Sequence, residues 1–194
     1  MPDVTPGQVA GVVLAAGAAR RFGDTKQLAE LDGRPLVAHA VRTARAAGLD
    51  PVYVVVGHDA DRVRDVLGDD VVVVDNPDHA TGQASSLRAG VAAAGASTAA
   101  ALVVLLADQP GIDPNLVRAV AGAHAVGHEV VRARYTDRPG HPVLFARAVW
   151  PRLTEVSGDV GARDLLEELG AAEVLVDTPA PPDVDRPADL DGLR

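Results

Sequence analysis

A chain of 194 residues without one cysteine can carry no disulfide, no thiolate metal site and no cysteine nucleophile. Its formal net charge of -9 argues against non-specific nucleic-acid binding, which needs clustered Lys and Arg, and aromatic residues at 3% are too few for a base-stacking platform. No apolar run approaches the roughly 20 residues of a membrane helix, and MPDVTPGQVA has neither the basic start nor the apolar core of an export signal. The expectation is a cytoplasmic protein that contacts neither membrane nor nucleic acid, in a single domain over residues 1–194.

Short Val/Leu runs alternate with longer amphipathic stretches. Residues 7–17 read as a first buried strand ending at Gly17. Residues 36–49 have apolar side chains at helical spacing and stop at Gly48. Residues 52–56 are a second strand, and 59–67 a short helix with Asp59 as N-cap. Residues 71–74 are a third strand, 85–94 a helix, and 101–107 a fourth and most apolar strand. Asp113-Pro114 opens the next helix with a cap and an N1 proline. Strands follow at 129–135 and 141–145, where Pro142 points to an edge or a strand start. A helix over 162–169 closes at Gly170, a last strand covers 173–176, and a helical turn covers 187–193. The alternation predicts an α/β fold of three α/β/α layers around a mostly parallel, Rossmann-like sheet. In such folds ligands bind beyond the carboxyl ends of the strands.

The first strand runs into Gly17-Ala-Ala-Arg-Arg-Phe-Gly23-Asp-Thr-Lys26. Small residues let backbone N–H groups turn toward an anion, and Arg20, Arg21 and Lys26 add positive charge. Close backbone approach combined with cations suits a triphosphate. The spacing is neither a Walker A loop nor G-x-G-x-x-G; the plain alternative is a strand–helix turn with surface cations. After the apolar run ALVVLLA comes Asp108, a carboxylate at the end of a buried strand that needs a partner. Mg²⁺, which takes one or two carboxylates plus substrate phosphates, suits it; the alternative is an Asp capping the next turn. Gly82 and the serines at 85 and 86 can open a helix toward a ligand, or Ser85 can simply cap it. His124 and His128 have i,i+4 spacing but no third ligand, and read as surface residues.

Leu14-Ala15-Ala16-Gly17 with Arg21, Gly23 and Lys26 resembles the LAAGxSxRxGxxK signature of the MobA-like NTP transferases, with Ala19 where the family usually has Ser. The resemblance implies the nucleotide-diphospho-sugar transferase type of fold and nucleotide binding by residues 14–17, Arg21 and Lys26. Gly82-Gln83-Ala84-Ser85-Ser86-Leu87 resembles the GxxxSL segment of one branch, the molybdenum cofactor cytidylyltransferases. It adds Gly82, Ser85 and Ser86 to the nucleotide site. Gly140-His141-Pro142 and Gly158-Asp159-Val160-Gly161-Ala162-Arg163 resemble that branch's GHPxxF and GDxGAR stretches, which implies acceptor contacts from His141, Asp159 and Arg163. His141 also has a merely structural alternative, and Asp159 could only cap the helix that follows. Asp183-Val-Asp185-Arg-Pro-Ala-Asp189 resembles the closing D-[IV]-D-x-P-x-D. By resemblance Asp108, with Asp185, holds Mg²⁺ (or Mn²⁺), and Arg21, Lys26 and Asp108 are catalytic. The implied reaction is transfer of CMP from CTP to the phosphate of a pterin cofactor, whose recipient would be a molybdoenzyme of the xanthine dehydrogenase type. Three alternatives stand beside it: a sugar-phosphate nucleotidylyltransferase, a non-catalytic delivery chaperone, and a metal-dependent glycosyltransferase.

Overall fold

The computed structural model describes residues 8–18, 22–158 and 163–193. Arg20, Arg21 and Asp159, each singled out above, lie outside them, as do Ala19 and residues 160–162.

The chain opens with β1 (Val9–Leu14). A 3₁₀ turn, Lys26–Leu28, then leads into a two-stranded hairpin, β2 (Glu30–Leu31) and β3 (Arg34–Pro35). Helix α1 (Leu36–Ala46) buries Leu36, Val37, Ala40 and Ala44 along one stripe. It ends where Gly48 takes φ +84°, which lets Gly48 N–H and Leu49 N–H bond back to the carbonyls of Arg45 and Ala44. There follow β4 (Val52–Val56), α2 (Ala60–Asp65), β5 (Val72–Asp75), α3 (Gln83–Gly95), β6 (Ala101–Leu106) and α4 (Pro114–Gly122). The last part holds β7 (Val130–Arg134), β8 (Pro139–Ala146), α5 (Trp150–Leu153), α6 (Arg163–Glu168) and β9 (Ala172–Leu175).

Seven strands make one sheet in the order β5-β4-β1-β6-β8-β7-β9. All neighbours run parallel except at β8, which is antiparallel to both β6 and β7. The pleat sends alternate side chains to opposite faces. Val13, Val54 and Val103 meet α1, α2 and α4, whereas Val12, Val55 and Leu102 meet α3, α5 and α6. The sheet is therefore covered on both sides, which explains why its central strands read as unbroken apolar runs. A smaller core of Leu31, Leu36, Val184 and Leu190 fastens the hairpin to the C-terminal segment.

From β1 the chain builds outward through β4 and β5, then returns to β6 on the other side of β1. That reversal opens a crevice at the carboxyl ends of β1 and β6. Because β8 runs against β6, it delivers His141 to this same end of the sheet.

Three expectations need correction. Asp59 precedes α2 but does not cap it. Its backbone is left-handed (φ 51°), and its carboxylate turns to Thr25 Oγ1 and Arg62 instead. Pro142 lies on neither an edge nor a strand start. It sits inside the sheet, where register passes from Arg132↔Val143 to Ala133↔Gly140, so His141 and Pro142 form a bulge that needs no proline N–H. His124 is half-buried rather than a plain surface residue, with Nδ1 shielded from solvent.

Candidate active site

Lys26 and Asp108 meet in the crevice. Lys26 follows β1 on the 3₁₀ turn, and Asp108 follows β6. Lys26 Nζ donates to Asp108 Oδ2 at 2.7 Å and to Asp185 Oδ1 at 3.0 Å. Burial alone would lower the lysine pKa, but the two carboxylates outweigh it and hold the ammonium above the usual lysine range. The partner that Asp108 needed is thus a cation supplied by the loop after β1.

Asp185 reaches this point because its loop is docked there. Val184 is fully buried and its N–H donates to the Asp108 carbonyl at 2.9 Å. Gln109 Nε2 holds Asp183 Oδ1 at 2.5 Å. One oxygen of Asp189 accepts the N–H groups of Asp185 and Arg186 at 2.8 and 2.7 Å, and these bonds hold its carboxyl below the usual range. The role of Asp189 as the clasp of this loop was not read from the sequence, although an Asp three to four residues past two free N–H groups is its signal.

The loop that carries Lys26 is clamped from the side. Thr25 Oγ1 donates to Asp59, and Arg62 Nη1 donates to Asp24, Thr25 and Asp59 at 3.0, 3.2 and 3.2 Å. Chiefly through the Thr25 hydroxyl, the Asp59 pKa is lowered. Gln27 Nε2 donates to the Gly17 carbonyl at 2.8 Å, while its Oε1 is buried with no partner among the described residues. Such an orphaned acceptor is what a ligand hydroxyl or amine would satisfy.

A cavity of about 870 Å³ fills the crevice from Lys26 and Asp108 across Leu14, Ala16 and Gly17 to His58, His79, Gly82 and Ser86. Ala15, next to these, is part of the core. Helix α3 starts at Gln83 with Gly82 before it, so Ser85 is not its N-cap. Ser85 and Ser86 are both buried, and both accept hydrogen bonds from Asn76 Nδ2, at 2.9 and 3.0 Å. Asn76, His58 and His79 were missed as site residues, since polar residues just after β4 and β5 read as ordinary loop.

Beside it lies a second cavity of about 220 Å³, sharing Leu14 and Gln83 with the first. Leu87, Val104, Val143 and Phe145 give it apolar walls, and Gln83, Arg132, His141, Arg163 and Glu167 its polar groups. Burial pushes the His141 pKa down to about 4, with Asp183 opposing, so the ring is neutral near pH 7. Tyr135 OH donates to the His141 carbonyl at 2.7 Å, and burial, opposed by Arg138, raises the tyrosine to about 12. Arg132 is engaged by Glu173 at 2.7 Å, whereas exposed Arg163 has no partner among the described residues.

Asp108 and Asp185 converge on one cation, which is the arrangement a divalent ion requires of two carboxylates. Among the described residues no cluster of three or more His, Cys, Asp or Glu could hold a metal alone. Remaining ligands would have to be phosphate and water, as is usual for Mg²⁺.

A doubly covered, mostly parallel sheet with a cationic loop and paired carboxylates at its switch point defines a nucleotide-binding α/β protein. Residues 11–174 match the MobA-like NTP transferase domain, and the chain belongs to that family. It is 30% identical to the purine catabolism protein PucB of Bacillus subtilis over 95% of both chains. It is 34% identical to the bifunctional protein GlmU of Kineococcus radiotolerans over 84% of its own length, and spans about a third of GlmU. Rv0371c of Mycobacterium tuberculosis H37Rv superposes with TM-score 0.88 at 33% identity, covering 97% of this chain and 98% of that one. Rv0371c has also been solved as a complex with manganese (TM-score 0.83). No helix among the described residues is long and apolar enough to cross a membrane.

Proposed function

We propose that this protein is a nucleotidylyltransferase that moves CMP from CTP to the phosphate of a pterin cofactor. The observation that carries the reading is the convergence of Lys26, Asp108 and Asp185 at the mouth of a cavity that adjoins a second one. A donor nucleotide fits the larger cavity and an acceptor the smaller, and the two meet at Leu14 and Gln83.

An oxygen of the acceptor phosphate forms a bond to the α-phosphorus of CTP while the bond to the departing pyrophosphate breaks. The attacking monoester is already largely dianionic, its second pKa being about 6, so no general base is needed. Catalysis then consists of alignment and charge neutralisation. Arg21 and Lys26 hold the β- and γ-phosphates and stabilise the charge that builds on pyrophosphate. Asp108 and Asp185 would hold Mg²⁺ or Mn²⁺, which when bound supplies Lewis-acid neutralisation at the transferring group. A metal bound to Rv0371c supports a divalent ion here. His141 and Arg163 line the smaller cavity and contact the acceptor there, and Asp159 joins them by resemblance to the family's motif. Because His141 is neutral, it serves as a hydrogen-bonding group and leaves the anion to Arg163. The purine catabolism role in PucB's name supports delivery of the product to a molybdoenzyme of the xanthine dehydrogenase type, since xanthine is a purine.

Pyrophosphate release measured across the four NTPs, with and without the molybdenum-bearing pterin, tests the reading. Release with CTP that depends on the pterin is expected. Release only with a sugar phosphate would replace the acceptor, and nucleotide binding without turnover would leave a delivery chaperone.

A further inference from the structure

Ser85 and Ser86 hold the Asn76 side chain, and the Asn76 main-chain carbonyl faces His79. Asn76 is 4% exposed and anchored three ways: its N–H donates to the Val56 carbonyl at 2.8 Å, and its amide donates to both serine hydroxyls. Its own carbonyl lies 3.2 Å from His79 Nδ1. A carbonyl oxygen only accepts, so Nδ1 must carry the proton, and in the neutral ring Nε2 presents a bare lone pair. His79 lines the large cavity, and Nε2 has no hydrogen-bond partner among the described residues.

The ring is also fixed in position. A Cβ at residue 57 would fall 2.6 Å from His79 Cβ, 2.8 Å from its Cγ and 2.9 Å from Ala16 Cβ. Only glycine at this point lets β4, the Ala16 turn and His79 close together. Lys26 meets Asp108 just after β6, whereas His79 follows β5, three strands away in the order β5-β4-β1-β6; with the phosphates at Lys26, the base extends toward His79.

We propose that His79 selects the base, its Nε2 accepting a hydrogen bond from the exocyclic amino group of cytosine. Uracil and guanine bring a carbonyl oxygen to the comparable edge and set lone pair against lone pair. Adenine carries the amino group, but the tight closure of Ala16 against residue 57 and His79 disfavours the larger purine. This inference rests on the nucleotide-transfer reading and gives the serines a part in it: they hold the acceptor's orientation from behind.

CTP and UTP, titrated with Mg²⁺ into the full chain without any pterin, give the test. The unaltered protein should bind CTP at least about tenfold more tightly than UTP, the scale of one hydrogen bond set against an unmatched acceptor. His79→Phe, which keeps a flat ring without the lone pair, should bring the two within about threefold by losing CTP affinity. Nitrogen NMR of the unaltered protein, independent of any variant, should show the Nδ1–H tautomer and a shift of Nε2 with CTP but not UTP. An unchanged CTP to UTP ratio in a folded His79→Phe protein, an Nε2–H tautomer, or a preference for UTP or GTP would each overturn the proposal while leaving phosphoryl transfer intact. If CTP is preferred as stated and no phosphomonoester elicits pyrophosphate, the base selection stands and the transfer reading falls. Failure of every NTP to bind would overturn both.

Discussion

The two cavities are built by different means, although they share a wall. The large one lies over the parallel half of the sheet, at the ends of β1, β4, β5 and β6, and nearly every polar group in it is held by another. Lys26 is held by two carboxylates, Asp185 is positioned by the Asp108 carbonyl and Asp189, and Asn76, whose main-chain carbonyl faces His79, is itself held by two serines. The small one lies where β8 turns against its neighbours, and its walls are mainly aliphatic and aromatic. Its histidine is kept neutral by burial, and one of its two arginines is already engaged. If the large cavity holds a triphosphate as proposed, fixed partners suit it, because no reorganisation is needed as charge develops. A site with apolar walls and few fixed dipoles can be refitted to a new acceptor by changing a handful of side chains.

The first way to break this contrast is to remove its central charge. Asp108→Asn should lower turnover by about 10²–10³-fold with the fold retained, since the side chain's task is placing negative charge. Steady-state rates with a melting temperature check it; near-normal rates would remove Asp108 from the metal. Lys26→Ala should cost about 2–3 kcal/mol of transition-state stabilisation. The loss should appear in kcat more than in the KM for triphosphate, and a change confined to KM would limit Lys26 to ground-state binding.

The acceptor side should answer to pH rather than to charge removal. The folded pKa of His141, about 4, lies below the ordinary value of 6.5, so the unfolded chain binds the proton more readily. Its contribution therefore favours folding least below pH 4, and stability falls as pH drops from 6.5 to 4. Allowing for partial exposure, His141→Gln should recover up to about 2 kcal/mol of that loss while leaving stability above pH 7 little changed. Denaturant melts at pH 4.5 and 7.5 measure it; parallel pH slopes in the two proteins would show that His141 titrates normally. The smallest effect concerns Ala16. Removing one methyl discriminates by only about 1 kcal/mol, so Ala16→Gly should relax a preference for CTP over GTP without inverting it. Competition between the two at equal concentration decides it, and preferential GMP incorporation by the unaltered protein would reverse the base assignment.

The same contrast governs what could be read in the sequence. The central strands of the parallel half are buried on both faces, so 52–56 and 101–107 stood out as apolar runs and matched β4 and β6 within a residue. Lys26 was visible because the loop after β1 carries charge beside glycine, and Asp108 because a carboxylate ends the apolar run of β6. The Asn76 relay was not, because its order comes from α3, whose serines look like helix-start residues until the helix is seen to begin at Gln83. Asp59 was misjudged because a left-handed backbone leaves no mark on the sequence. Pro142 was assigned an edge by the rule for regular strands, and a two-residue bulge made room for it instead. The β2–β3 hairpin and α5 are too short for any period to show.

The position of β1 sets the order in which this chain can assemble. Gly11 pairs with Val52 on one side and with Val103 on the other. The strand that leads into the Lys26 loop is thus synthesised before both of its neighbours, and it lacks the second until β6 has emerged. Contacts this far apart in sequence are slow to close and leave strand edges open meanwhile. The lysine trap takes longer still, since Lys26 and Asp185 stand 159 residues apart. During synthesis, Lys26 exists long before the carboxylates that will hold it, so the lysine–carboxylate cluster can form only after Asp185 has emerged.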